Sequence, residues 1–203
     1  MEKISRPGVM NKNLEHYVFH KENFLDKKYC ENCIDELDKC DWEKHDWYTY
    51  RTDSKDAPSG DNEPEVLFHN LFTINIEKIN EFIVQELRST MIEYIKSLKF
   101  NWFDGWDEYC AMKFIRYYPD QTMKNHCDHI QSLFDGERKG IPILSIIGIL
   151  NDDYEGGELI MFKDKKIDTK KGDLLIFPSN FLYPHEVTPI TKGVRYSYVS
   201  WAW

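Results

Sequence analysis

Two residue types that bind metals stand one position apart at His126-Cys127-Asp128. Successive side chains of an extended strand point to opposite faces, so His126 and Asp128 share one face and Cys127 takes the other. Two ligands on one strand fix two corners of a coordination site, and a third must arrive from elsewhere. The best candidate is His185, in Pro184-His185-Glu186-Val187. Two histidines and one carboxylate, with the remaining positions open, form a facial set suited to non-heme Fe(II). His-x-Asp alone is weak evidence and takes its weight from the residues that follow.

Arg195 and Ser197 are the next such residues, and they fall on one face of the last strand-like segment. A guanidinium is planar and always charged, so it can grip a carboxylate through two parallel hydrogen bonds. A serine two residues on adds a third donor. Taken alone, Arg195 reads as a surface salt-bridge residue. Coupled to His126, Asp128 and His185, it reads as an inward arginine that holds the far end of a dicarboxylate while the near end reaches the metal.

These residues need a scaffold, and the chain changes texture along its length. Residues 1–14 are polar, and Tyr17-Val18-Phe19 reads as a short strand. Asp26 can cap a helix running to about Asp38, and Trp42 to Tyr50 reads as extended. Residues 51–65 form a loop of Asp, Ser, Pro, Gly and Asn. Asn75 to Leu98 repeats apolar residues at helical spacing and predicts a long amphipathic helix. Asn101 to Glu108 is a turn-rich link.

The second half reads as short strands separated by turns: Tyr109–Tyr118, Asn125–Ile130, Ile141–Leu150, Glu158–Phe162, Leu174–Phe177, His185–Val187 and Val194–Trp203. A polar loop spans residues 131–140. The expected fold is mainly β, a jelly-roll or double-stranded β-helix barrel with bracing α-helices. The expected organisation is one domain over 1–203, with residues 1–100 as helical support and 108–203 as the core.

Composition limits the classes of function. At 203 residues, with 41% hydrophobic and 15% aromatic side chains, the chain can bury one sizeable core. A net charge of −9 argues against non-specific nucleic-acid binding, which needs a basic surface. No apolar run is long enough to cross a membrane. The first residues, Met1 to Arg6, lack the apolar core of a signal peptide, so a cytoplasmic location is expected. Five cysteines, an odd number, suit a reducing compartment. Cys30, Cys33, Cys40 and His45 could suggest zinc, but Cys30, Cys33, Ile34, Leu37 and Cys40 repeat at helical spacing and read as one apolar stripe.

The run His185-Glu186-Val187-Thr188-Pro189-Ile190-Thr191-Lys192-Gly193-Val194-Arg195-Tyr196-Ser197, ending near Trp201, resembles the C-terminal signature of Fe(II)/2-oxoglutarate-dependent dioxygenases. The likeness is strongest to the prolyl 4-hydroxylase branch, including its small bacterial and viral members. Tyr117 upstream of His126-Cys127-Asp128, Tyr154-Glu155-Gly156-Gly157-Glu158-Leu159 in mid-barrel and Lys171-Gly172-Asp173-Leu174-Leu175-Ile176-Phe177 agree in order and spacing. The resemblance covers residues 108–203 closely and the first half only in general style.

The resemblance implies that His126, Asp128 and His185 bind Fe(II), and that Arg195 holds the distal carboxylate of 2-oxoglutarate beside Ser197. Tyr117 is the first choice for a hydroxyl partner and Tyr118 the second, because the doublet leaves the register open. Many animal and plant prolyl 4-hydroxylases place lysine where this chain has Arg195, which keeps the charge and sets the chain apart from that subgroup. Related halogenases lack the carboxylate, so Asp128 favours hydroxylation. O2 is the second cosubstrate, and the family leads one to expect ascorbate as well. The implied reaction hydroxylates a prolyl residue of a peptide or protein and decarboxylates 2-oxoglutarate to succinate. A free amino acid or other small molecule is the alternative substrate, and a non-catalytic barrel that binds a partner is the alternative of another class. A metal hydrolase is a distant third, since nothing in that reading needs Arg195.

Other residues attract blander readings. His129 lies an odd number of positions from His126 and faces away in a continuous strand. His16, His20, His45 and His69 read as surface or capping residues, Glu158 as turn chemistry, and Trp201 and Trp203 as barrel packing. Loops 51–65 and 131–140 are expected to close over the substrate.

Overall fold

The computed structural model describes residues 10–45, 62–128 and 141–203. Its first half holds β1 (Phe19–Lys21), α1 (Lys27–Leu37), β2 (Glu43–Lys44), β3 (Glu65–Leu67) and α2 (Ile74–Leu98). Then follow β4 (Lys113–Tyr117), β5 (Met123–His126), β6 (Leu144–Ile149), β7 (Glu155–Gly156), β8 (Leu159–Met161) and β9 (Lys165–Ile167). The chain ends in β10 (Leu174–Pro178), β11 (His185–Val187), β12 (Ile190–Lys192) and β13 (Arg195–Ala202).

Both helices start where a side chain can satisfy free backbone donors. The Asp26 carboxylate accepts from the N–H groups of Lys28 and Tyr29, and the Thr73 hydroxyl from that of Ile76. α1 buries Cys30, Cys33 and Leu37, and α2 buries Ile76, Ile83, Leu87, Met91 and Tyr94. Burial pushes the Cys30 thiol up to about 11 and the Cys33 thiol up to about 12, so neither offers a thiolate near neutrality.

Strand pairing is antiparallel throughout. A seven-stranded sheet runs β1-β10-β6-β13-β4-β3-β2, a four-stranded sheet runs β5-β11-β8-β9, and β7 pairs with β12. The first half therefore gives more than helical support, since β1 forms one edge of the large sheet and β2 with β3 the other. β1 and β3 have three residues each and β2 two, too few for a strand period to show.

Alternation along the central strands sorts the core into two layers. Phe114, Leu144, Ile146, Leu174, Ile176, Tyr196, Tyr198 and Ala202 pack toward the helices. Their neighbours Ile115, Tyr117, Ile147, Ile149, Leu175 and Phe177 pack on the other face with Leu159, Met161 and Val187 of the small sheet. By the same alternation β13 turns Arg195 and Ser197 to that second face.

The helix-side layer has one tight point. Tyr198 pairs with Gly148, and a Cβ on Gly148 would lie 1.9 Å from the Tyr198 ring. The large sheet thus carries an aromatic ring over a bare backbone at its centre. Gly148→Ala should lower stability by about 2 kcal/mol, a fall in Tm of roughly 4–8 °C, measurable by calorimetry. An unchanged melting point would mean that the ring is free to move aside.

Candidate metal and dicarboxylate site

The three metal-type residues converge. β11 pairs with β5 so that His185 lies directly opposite His126, and a register shift follows between His185 and Val187. β5 ends at His126, so Asp128 stands two residues past the strand and not within it. It still reaches both histidines: its Oδ1 is 3.5 Å from Nε2 of His126 and 3.8 Å from Nε2 of His185. Among the described residues, His126, Asp128 and His185 form the cluster of His, Cys, Asp and Glu able to hold an ion, with ligand atoms all within 4.8 Å of one another. Cys30, Cys33, Cys40 and His45 form no such cluster.

Each histidine is oriented by the backbone carbonyl two residues before it. Nδ1 of His126 bonds the Lys124 carbonyl at 2.7 Å, and Nδ1 of His185 bonds the Tyr183 carbonyl at 3.1 Å. A proton on Nδ1, donated to that carbonyl, leaves the Nε2 lone pair aimed at Asp128. The Phe177 ring stands edge-on to His185, with centroids 5.2 Å apart.

Electrostatics prepare two of these groups, Asp128 and His185, for ligation, whereas a metal at His126 must displace a favoured proton. Burial alone would raise the Asp128 carboxyl, but the His185 charge and the His126 hydrogen bond outweigh it and hold it well below the usual carboxylate range. Burial works to lower His126, yet the hydrogen bond and charge of Asp128 overcome it and raise that histidine. His185 is lowered, chiefly by burial. An ionised carboxylate and a neutral histidine are the protonation states that metal ligation requires. Side-chain exposure falls from 21% at His126 to 12% at Asp128 and 6% at His185, so the cluster opens on the His126 side.

Donors about 2.1 Å from a divalent ion stand about 3 Å apart when adjacent in an octahedron. The gaps of 3.5 and 3.8 Å therefore need under about 1 Å of closure, and the residues fit a small divalent ion.

The inner layer that His185 joins through Phe177 also holds a buried cation. Arg195, only 1% exposed, pairs in register with Tyr117 of β4. Its Nη1 donates to the Ser197 hydroxyl at 2.8 Å, its guanidinium carbon lies 5.1 Å from the Tyr117 ring centroid, and its Nε has no partner among the described residues. No carboxylate there forms an ion pair with it. Burial pushes the Tyr117 phenol up to about 12, against the opposing charge of Arg195, so it stays a protonated donor. Tyr118 is 37% exposed, with its ring 5.4 Å from the Arg116 guanidinium, and stands on the other face of the strand. Register thus separates the doublet that the sequence leaves open.

The mid-barrel glycines make room for this arrangement. Gly157 has φ +62, and a Cβ there would lie 2.4 Å from Cδ1 of Ile190 and 3.1 Å from Cδ of Arg195. The backbone can run beside the arginine stem only without a side chain.

The remaining candidates lie elsewhere. His20 bonds the Asp173 carboxylate at 2.8 Å, His45 faces Glu63, and the rings of His16 and His69 pack on Tyr17 and Phe72. Glu158 pairs with Lys166, and the Trp203 indole N–H meets the Cys110 sulfur. His129, Trp47, Tyr48, Tyr50 and the expected covers, apart from residues 62–65, fall outside the described residues.

A family model for the 2OG-Fe(II) oxygenase superfamily matches residues 112–203, the span that carries the metal cluster, Tyr117 and Arg195. Residues 112–203 belong to that superfamily. Curated relatives of this oxygenase segment include PKHD-type hydroxylases from Alteromonas mediterranea and Stenotrophomonas maltophilia. The first is 34% identical over 95 residues, 43% of this chain and 41% of the relative. The second is 32% identical over 99 residues, 46% of this chain and 43% of the relative. The chain spans about two-fifths of the length of these relatives.

Solved structures resemble the whole described fold. A prolyl hydroxylase from Trichoplax adhaerens, in complex with a hypoxia inducible factor peptide fragment, superposes with a TM-score of 0.64 at 16% identity. That match covers 93% of this chain and 84% of the other. A viral collagen prolyl hydroxylase from Paramecium Bursaria Chlorella virus-1 gives 0.59 at 16% identity, over 92% and 94%. A Pseudomonas putida prolyl-4-hydroxylase gives 0.59 at 18%, over 92% of each chain. These likenesses establish the double-stranded β-helix fold. No helix among the described residues is long and apolar enough to cross a membrane.

Titration of the metal-free protein with Co(II), followed by absorbance or calorimetry, should show one site per chain. His185→Ala should weaken it at least about a hundredfold. Equal binding by that variant would place the ion elsewhere.

Proposed function

We propose that this protein is an Fe(II)- and 2-oxoglutarate-dependent hydroxylase acting on a prolyl residue of a peptide or protein. The observation that carries the reading is Arg195: a guanidinium buried in the inner layer of an oxygenase barrel, with no carboxylate of its own among the described residues. Removing an ion from water costs several kcal/mol unless a counter-charge meets it. A diacid that reaches from the metal to the guanidinium supplies that counter-charge.

In this reading His126, Asp128 and His185 hold the metal, and their single edge of the barrel leaves its other positions open. The bound ion supplies the oxygen chemistry that couples decarboxylation of 2-oxoglutarate to hydroxylation of a C–H bond. Arg195 grips the distal carboxylate through its guanidinium edge, Ser197 fixes the rotamer of that edge, and the protonated Tyr117 phenol donates to the same anion. Ile147, Leu159 and Phe177 wall the inner layer with apolar surface, which excludes water and strengthens each of these contacts. Asp128 keeps a carboxylate where a halogenase has none, which supports hydroxylation. Proline as target is supported by the fold shared with prolyl hydroxylases and by the resemblance of the C-terminal run.

Two measurements on Arg195→Met test this. Without ligand the variant should melt no lower than the parent, because it removes a buried charge and keeps an aliphatic stem. With Fe(II), its KM for 2-oxoglutarate in a succinate assay should rise by about a hundredfold or more, the loss expected for truncating one partner of a buried charge pair. An unchanged KM would remove 2-oxoglutarate from this pocket.

A further inference from the structure

One residue of the inner face is not used by the chemistry above. Lys113 lies on β4 in alternation with Ile115 and Tyr117, so it turns into the same layer. It pairs with Val199, whereas Tyr117 pairs with Arg195. Four residues separate the two positions, about 13 Å along the strand. The inner face of this strand pair thus carries one cation at each end.

The surroundings of Lys113 are unusual for a lysine. Its ammonium stands 4.8 Å from the Trp201 ring centroid and 5.3 Å from that of Phe68. It makes no hydrogen bond or ion pair among the described residues. Burial lowers its pKa, and the charges that oppose this are Cys110 and Asp128. The Asp128 charge is felt at the amine, so the two groups lie within electrostatic range of one another. That carboxylate is already committed to two histidines, and a metal would claim it fully. Aromatic faces stabilise a cation but accept none of its three N–H donors in the plane of a lone pair.

We infer that Lys113, held between Trp201 and Phe68 at the end of the barrel away from Arg195, determines specificity by anchoring a carboxylate of the substrate that is hydroxylated. This deepens the function proposed above and rests on it. The two rings give the apolar ring of a proline a surface to lie on, and the ammonium reads the acid attached to it. The acid has two sources: an acidic residue beside the target in a peptide, or the carboxylate of a free amino acid.

Calorimetric binding to the metal-free protein separates these, since it needs no turnover. The probes are a capped peptide with aspartate next to proline, its asparagine counterpart, free proline and prolinamide. The acid member of at least one pair should bind about tenfold more tightly than its neutral partner. A preference confined to the first pair assigns the carboxylate to a peptide, and one confined to the second assigns it to an amino acid. Lys113→Met should abolish the preference while leaving 2-oxoglutarate affinity unchanged, and Lys113→Gln should do the same if the methionine variant folds poorly. Equal binding within both pairs, or a preference that survives loss of the amine, overturns the inference. A Lys113-dependent preference without any consumption of 2-oxoglutarate would overturn the hydroxylase reading and leave the anion subsite standing.

Discussion

A guanidinium sealed inside two packed β-sheets, without an acidic side chain among the described residues to meet it, is the constraint from which the rest of this structure follows. Arg195 sits at the start of the longest strand, 1% exposed, beside one serine hydroxyl and one tyrosine ring. Packing alone would favour an aliphatic residue there. The neighbouring backbone is cleared by Gly157, and the strand partner supplies a phenol that burial keeps protonated. These features leave a buried cation facing the inner layer, at a cost to the unliganded fold.

The two-layer core explains how that cation is kept in place. Even-numbered residues of β13 bind the large sheet to the helices through Tyr196, Tyr198 and Ala202, and odd-numbered residues face the small sheet. One strand therefore anchors the scaffold and carries Arg195 and Ser197. On the small sheet, direct pairing of His126 with His185 does the same for the candidate metal ligands. A slip of one residue in either pairing would turn the chemistry outward and the apolar residues into the cavity.

Much of this was legible in the sequence, and the misses have physical causes. Strand alternation placed His126 and Asp128 together, although the ladder stops at His126 and Asp128 reaches the cluster from beyond it. The apolar run around Ile146 announced a strand buried on both faces. The tyrosine doublet could be resolved only by the register with Arg195. Tyr17 to Phe19 and Trp42 to Tyr50 read as extended, but β1, β2 and β3 are too short to show a period, so their places at the edges of the large sheet do not show in the sequence. Lys113 carries no functional signal by residue type, because a lysine in a strand ordinarily faces solvent. Its parity with Ile115 and Tyr117 was the available signal.

One anion bridging the His126, Asp128 and His185 cluster and Arg195 would join every feature described above. A crystal structure grown anaerobically with Fe(II) and 2-oxoglutarate should then show iron on His126, Asp128 and His185, with the far carboxylate of the diacid on the Arg195 guanidinium and the Ser197 hydroxyl. Density for the diacid bound away from Arg195, or iron held without His185, would contradict it.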